Sequence, residues 1–169
     1  MGADRSGGSA LSGAPERLIA DAMLGKLARW LRTLGYDCAF LPGIADDVLI
    51  KRAVAEGRVI LTRDTLLIQR RAARGRTIFI ENDRVADQLK ELSKRFEINA
   101  YGFLTRCLRC NAPLEPMDKE AARGKVPPYV FAVQERFSAC PGCGRVYWAG
   151  THRDRMIEAI ESMLKGGWG

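Results

Sequence analysis

Four of the five cysteines are arranged in two C-x-x-C turns: Cys107 with Cys110 (CLRC) and Cys140 with Cys143 (CPGC). Such a turn lets two thiolates reach one tetrahedral ion at a Zn–S distance of about 2.3 Å. Asn111 and Gly144 directly follow the second cysteine of each pair, and both residue types tolerate the left-handed backbone that such a knuckle requires. Two knuckles on adjacent hairpins make a zinc ribbon. Four thiolates close the coordination sphere, so the ion would be structural and not catalytic. The alternative is a pair of redox-active dithiols. His152 is a spare ligand that four cysteines make unnecessary, and it is expected on the ribbon surface or at a binding site. Cys38, in an apolar stretch, reads as a small buried hydrophobe.

A second set of groups is acidic. Asp21, Asp64 and Asp83 stand at or just after the ends of predicted strands, and Asp46-Asp47 opens a predicted helix. In an open parallel sheet the carboxyl ends of all strands share one edge, where ligands bind. Carboxylates gathered there repel one another unless a cation neutralises them, and oxygen-only ligands select Mg2+ or Mn2+. Such an ion activates water and stabilises charge developing on a phosphodiester. Aspartate is equally a preferred helix N-cap, with Asp46 the better-placed cap of its pair, and caps would line the same edge without any chemistry. Position alone leaves both explanations open. A phosphoacceptor site of the receiver type is disfavoured, since the paired acids follow the second strand and no lysine follows a last one. Lys26, Arg29, Arg32 and Arg63 lie near the predicted edge and are candidates for holding phosphates. For Lys26, Arg29 and Arg32 a solvated helix face is an equally good explanation.

The elements that must position these groups follow from periodicity. Arg17–Asp21 reads as a short buried strand. Met23, Leu24, Leu27, Trp30, Leu31 and Leu34 then form one helical stripe, with Lys26, Arg29, Arg32 and Thr33 opposite. Gly35 is placed to end that helix. A strand over Asp37–Leu41 leads to a helix from about Asp46, with Val48, Leu49, Ala53 and Val54 inward and Gly57 as its stop. Arg58–Leu61 and Thr77–Ile80 are further strands, each followed by a helix, the last of these burying Val85, Leu89 and Leu92. Alternating strands and helices specify an α/β fold with an open parallel sheet flanked by helices.

From about Ala100 the alternation stops. Short β-like runs, Tyr129–Val133 and Arg145–Trp148, surround the cysteines, and a helix over Arg153–Leu164 closes the chain. The expected organisation is a flexible tail over 1–16, the α/β domain over 17–100, a small zinc-ribbon module over 101–152, and a C-terminal helix and tail over 153–169. The formal net charge is +7, with a positive excess in both halves that suits a polyanionic partner or simply solubility. Arg106, Arg109, Lys119, Arg123, Lys125, Arg136 and Arg145 lie in or near the ribbon beside Tyr129, Phe131 and Phe137. Basic residues mixed with aromatics suit single-stranded nucleic acid; for Phe131 and Phe137 the ribbon's own core is the favoured explanation. No run approaches the roughly 20 apolar residues of a membrane span. The lack of a secretory pattern at the N-terminus and the unpaired cysteines point to a reducing, cytoplasmic setting.

The runs DAMLGKLARWLRTLGYD (21–37), GRVILTRD (57–64), RCLRCNAPLEP (106–116), VPP (126–128) and CPGCGRVYWAGTH (140–152) together resemble the Mut-seven C-terminal family, PIN-like ribonuclease domains joined to a zinc ribbon. The resemblance spans about residues 17–164. It implies a PIN-like α/β fold, metal-dependent cleavage of RNA with Mg2+ or Mn2+, and a structural zinc ion. By that likeness Asp21 is the acid ending the first strand, Asp64 the acid of the LTRD motif, and Asp46 or Asp47 the acid of the second helix. Asp83 is a weaker fourth. Asp21, Asp47 and Asp64 would hold the hard cation, while Lys26, Arg29, Arg32, Arg63, Arg109, Arg145 and His152 would meet the nucleic acid. The competing expectations are an RNA-binding adaptor without catalysis, whose aspartates only cap helices, and a subunit whose acidic edge binds a protein.

Overall fold

The computed structural model describes residues 17–150 and 153–165 of the chain. Four parallel strands, β1 (Arg17–Ala20), β2 (Asp37–Ala39), β3 (Val59–Thr62) and β4 (Thr77–Phe79), form one sheet in the order β2-β1-β3-β4. The helices between and after them are α1 (Gly25–Thr33), α2 (Asp46–Glu56), α3 (Thr65–Gln69) and α4 (Val85–Ser93). Successive strand residues point to opposite faces, and both faces are buried. Leu18, Ala20 and Leu61 pack with α1 and α4; Ile19, Ala39 and Ile60 pack with Leu49, Ile50 and Ala53 of α2 and Leu67 of α3. That double burial is why these strands read as continuous apolar runs.

Helix α1 keeps its expected inner stripe at Leu24, Leu27, Leu31 and Leu34, but Met23 is exposed. In α2 the inner face is Leu49, Ile50 and Ala53, whereas Val48 and Val54 are exposed. The sequence permits either phase, and the sheet selects the one that places Ile50 over it. Gly35 ends α1 with φ +93°, and a β-carbon there would lie 2.3 Å from the Gly102 carbonyl oxygen. Gly35→Ala is therefore expected to cost roughly 3 kcal/mol through left-handed strain and displaced backbone. Thermal melting should register this as a fall of roughly 6 to 12 °C; an unchanged Tm would refute the close approach.

Beyond Ala100 a second, antiparallel sheet appears, with β5 (Glu115–Met117), β6 (Phe137–Ala139) and β7 (Val146–Trp148) in sequential order. Between β5 and β6 lie two short helices, α5 (Lys119–Ala122) and α6 (Pro128–Val133). The expected strand over Tyr129–Val133 is thus a helix. Pro127-Pro128 supplies a helix start with proline at the first position, and a single apolar side, Val130, turns inward. Ala122, Val126, Val130 and Phe137 make the small core. Phe131 lies half-buried under the guanidinium of Arg123, 4.5 Å away, and the Lys119 amine at 5.4 Å. The last helix, α7 (Arg153–Lys165), returns to the parallel-sheet core, where Ile160 is fully buried. No helix among the described residues is long and apolar enough to cross a membrane.

Candidate functional site

The strand order places β1 beside β3, while the helices that follow them go to opposite faces of the sheet. That is the switch point of an open α/β sheet, where a crevice opens at the strands' carboxyl ends. Asp21 follows β1 and Asp64 follows β3, so the crevice has an acid on each side. The Asp21 backbone N–H still donates to the Leu61 carbonyl at 3.0 Å, which continues the sheet register into the site.

Asp21 is buried, and its carboxylate accepts from the Met23 N–H at 2.9 Å, the Arg63 N–H at 3.2 Å and the Thr62 hydroxyl. Thr62 is completely buried and its Oγ1 in turn accepts from the Asp64 N–H at 3.0 Å. One hydroxyl thereby couples the two acids, a role hidden in the sequence behind an ordinary strand-end threonine. Asp64 Oδ1 caps α3 by accepting from the Leu66 and Leu67 N–H groups at 2.7 and 3.3 Å. Its other oxygen takes no hydrogen bond among the described residues. Thr62→Val keeps the shape of the side chain but leaves the Asp64 N–H without its partner and leaves the buried Asp21 Oδ2 with the Arg63 N–H alone. Differential scanning calorimetry should show about 2 kcal/mol of lost stability; a neutral effect would mean the hydroxyl link is not formed.

The other acids are engaged differently. Ala45, not Asp46, occupies the cap of α2 and makes no side-chain cap. Asp46 and Asp47 sit in the first turn, where negative charge favours the helix dipole, and both pair with Arg70, Asp46 at 3.5 Å. Asp83 is well exposed and pairs with Arg63, while Arg84 stands at the α4 cap position. Among the described residues Asp21, Asp47 and Asp64 do not form a group with all ligand atoms within 4.8 Å, and Asp47 is paired with Arg70. The all-oxygen chemistry at the crevice suits a hard cation, and Asp21 with the free Asp64 oxygen offers the first two donors.

Of the expected phosphate-holding residues, Lys26, Arg29, Arg109 and Arg145 are exposed. Arg63 sits beside the crevice, its guanidinium turned to Asp83 and to the Glu81 carbonyl at 3.3 Å; its Nε is buried without a partner. His152 lies outside the described residues. Arg32 is a correction: it is buried, not solvated. Its Nε donates to the Cys38 carbonyl at 2.7 Å and Nη1 to the Leu108 and Arg109 carbonyls at 3.0 Å each, so its hydrogen bonds are spent on joining α1 to β2 and to the first cysteine turn. Asn111 completes that joint, accepting from the Cys38 N–H at 3.1 Å and donating to Asp37 at 2.7 Å. Burial works against the Asp37 carboxylate, yet bonds from Arg58 and Asn111 outweigh it and hold its pKa below the ordinary value. The stability it contributes is complete at neutral pH and fades only as pH falls through the acid range.

The four sulfurs of Cys107, Cys110, Cys140 and Cys143 lie within 4.8 Å of one another. Facing pairs are 3.5 Å (Cys107–Cys143) and 3.3 Å (Cys110–Cys140) apart, near the roughly 3.8 Å edge of a tetrahedron with 2.3 Å bonds. The two turns are built alike. The Asn111 and Gly144 N–H groups donate to the Cys107 and Cys140 carbonyls, both at 2.9 Å, with φ +69° and +73° as expected. Tyr147, missed in the sequence, sends its hydroxyl to Cys107 Sγ at 3.1 Å and accepts from the Leu108 N–H at the same distance. Burial opposes the Cys107 thiolate, but Tyr147 and the backbone N–H groups of Cys110 and Arg109 outweigh it and bring the thiol down to about 6. At Cys110 the Ala112 N–H favours ionisation, but burial and the adjoining sulfurs outweigh it and push the thiol up to about 12. Cys38 stays apart, fully buried, its thiol raised to about 12 by burial.

The family model described as Mut7-C RNAse domain matches residues 16–160. The chain belongs to that family. Comparison with curated proteins gave no match, and neither did comparison with solved structures. In this Mut7-C chain the matched residues include both the acid-lined crevice and the cysteine cluster. An RNase domain implies an RNA substrate, and the four cysteines stand ready to bind a metal ion.

Proposed function

We propose that this protein is a metal-dependent ribonuclease that cleaves single-stranded RNA at the β1/β3 crevice, and that its cysteine cluster holds one structural zinc ion. The observation that carries the first part is the pair Asp21 and Asp64, coupled through Thr62 at the switch point of a sheet in an RNase-family chain. Zinc follows from four thiolates at tetrahedral spacing with no open position.

Asp21 and Asp64 would hold Mg2+ or Mn2+, with Asp47 as a third ligand. The ion, when bound, lowers the pKa of water and offsets charge on the phosphodiester. The residues of the chain do the positioning. Thr62 and the Met23 and Arg63 N–H groups fix the Asp21 carboxylate in one orientation. Asp47 is free to exchange partners, because an exposed ion pair such as that with Arg70 is worth at most about 1 kcal/mol. Lys26, on the first turn of α1, and Arg63 stand where they would draw flanking phosphates toward the crevice. Among the described residues of the crevice no histidine or cysteine offers itself as a general base.

Cleavage of defined RNA and DNA oligonucleotides, with and without added Mg2+ or Mn2+, is the direct test. RNA should be cut only with the cation and DNA far less. RNA binding that is salt-sensitive but never followed by cleavage, together with no thermal stabilisation by Mn2+, would establish the adaptor instead. A reducing compartment such as the cytoplasm would keep these cysteines available to the metal, as part of the same proposal.

A further inference from the structure

A cavity of about 370 Å3 opens where α1, the first cysteine turn, β7 and α7 meet. Trp30, Phe103 and Trp148 give it aromatic walls, Met156 lies at its margin, and Arg29 and Arg153 bring two guanidinium groups; no acid is among the lining residues. Trp30 packs against the parallel-sheet core and Trp148 against the ribbon core, so the cavity is the seam between the two. The Arg153 guanidinium stands 5.6 Å from the Phe103 ring centre, and its carboxylate partner, Asp154 at 3.3 Å, is itself well exposed.

We propose that this cavity takes one unpaired nucleobase of the RNA strand, with the adjoining phosphates on Arg29 and Arg153. Resting on the ribonuclease reading for the identity of the polymer, it adds where the strand is gripped and why the strand must be single. Aromatic walls accept any base, because every base has a flat π face, and one stacked base is worth about 1–3 kcal/mol. Guanidinium groups stack on such rings and pair with phosphate, which compact ammonium groups do less well. A volume near 370 Å3 lies within the usual range of small-ligand sites. The nine residues of α1, about 13 Å of helix, lead from Asp21 to this cavity. A strand lying along α1 past Lys26 would reach both. A duplex would have to unpair a base to do the same, at a cost of a few kcal/mol.

Binding of the intact, zinc-loaded protein to a fluorescein-labelled oligouridylate, measured by anisotropy without Mg2+ or Mn2+, tests this. The same strand annealed to its complement is the comparison. The single strand should bind at least about 10-fold tighter than the duplex. Met156→Trp, which fills the margin from a partly exposed position, should erase most of that preference while leaving duplex affinity unchanged. The exposed double substitution Arg29→Glu/Arg153→Glu should weaken single-strand binding by about 30-fold and duplex binding by clearly less. Equal affinity for the two forms, or a preference indifferent to Met156→Trp, would overturn the cavity as a base site. Strand binding that follows these predictions, in a protein that cuts no RNA with either cation, would sink the nuclease proposal and leave the cavity standing.

Discussion

Asp64→Asn is expected to reduce RNA cleavage by at least about a thousandfold, roughly 4 kcal/mol of barrier, with the melting temperature almost unchanged. The substitution separates the two roles of this side chain. As a cap, Asp64 uses one oxygen toward the Leu66 and Leu67 N–H groups, and asparagine caps as well as aspartate does. As a metal ligand, Asp64 supplies negative charge, which asparagine lacks. A cap-only residue would therefore tolerate the change, whereas a ligand would not. Cleavage kinetics on a defined RNA, thermal melting and a Mn2+ thermal-shift titration read the three consequences. Full activity in the purified variant would sink the catalytic assignment and point to a contaminating nuclease. Asp21→Asn is a poorer discriminator, because its amide would set an N–H group against donors that now point at a carboxylate, and a stability loss of about 1–3 kcal/mol would be mixed with the kinetic one.

Cys140→Ser should abolish zinc binding and unfold the ribbon. The ribbon's own core is small: Ala122, Val126, Val130 and Phe137, with Met117, Phe131, Val146 and Trp148 half-buried against them. So few apolar residues cannot hold a three-stranded sheet alone, whereas four thiolates on zinc contribute of the order of 10 kcal/mol to comparable modules. Elemental analysis should give about one zinc per wild-type chain and none in the variant, with new protease-sensitive bonds between β5 and β7. The effect should reach further than the ribbon. Arg32 donates to the Leu108 and Arg109 carbonyls, and Asn111 bridges to Cys38 and Asp37. Disorder in the first turn would leave the buried Arg32 without two of its acceptors, so the parallel-sheet portion should also melt earlier. Wild-type protein purified without zinc, or a variant that melts like wild type, would remove the assignment.

Much of this molecule is written in local pattern. The strands of the parallel sheet read correctly because each is a short apolar run buried on both sides, and Gly35 and Gly57 mark helix ends because only a left-handed residue fits there. The cysteine turns were equally legible, because the spacing, Asn111 and Gly144 are all local properties of each turn. Helix phase was less secure. The inward face of α2 depends on what lies beneath it, which is why Val48 and Val54 emerged outside. The helix of Pro128–Val133 was hidden because an apolar run of six residues suits a strand as well.

Sequence by itself determined the alternating α/β order, the two metal-ready cysteine turns and the acids that follow the strands, since each of these is built from neighbours a few residues apart. Tertiary structure alone decided which acids are coupled. Thr62 joins Asp21 to Asp64 across two strands, while Asp47 pairs with Arg70. It also decided that Arg32 is a buried strut and that Trp30 and Trp148 share a cavity. Those facts depend on contacts between segments tens of residues apart, and no local spacing encodes the direction in which a long side chain finds its partner.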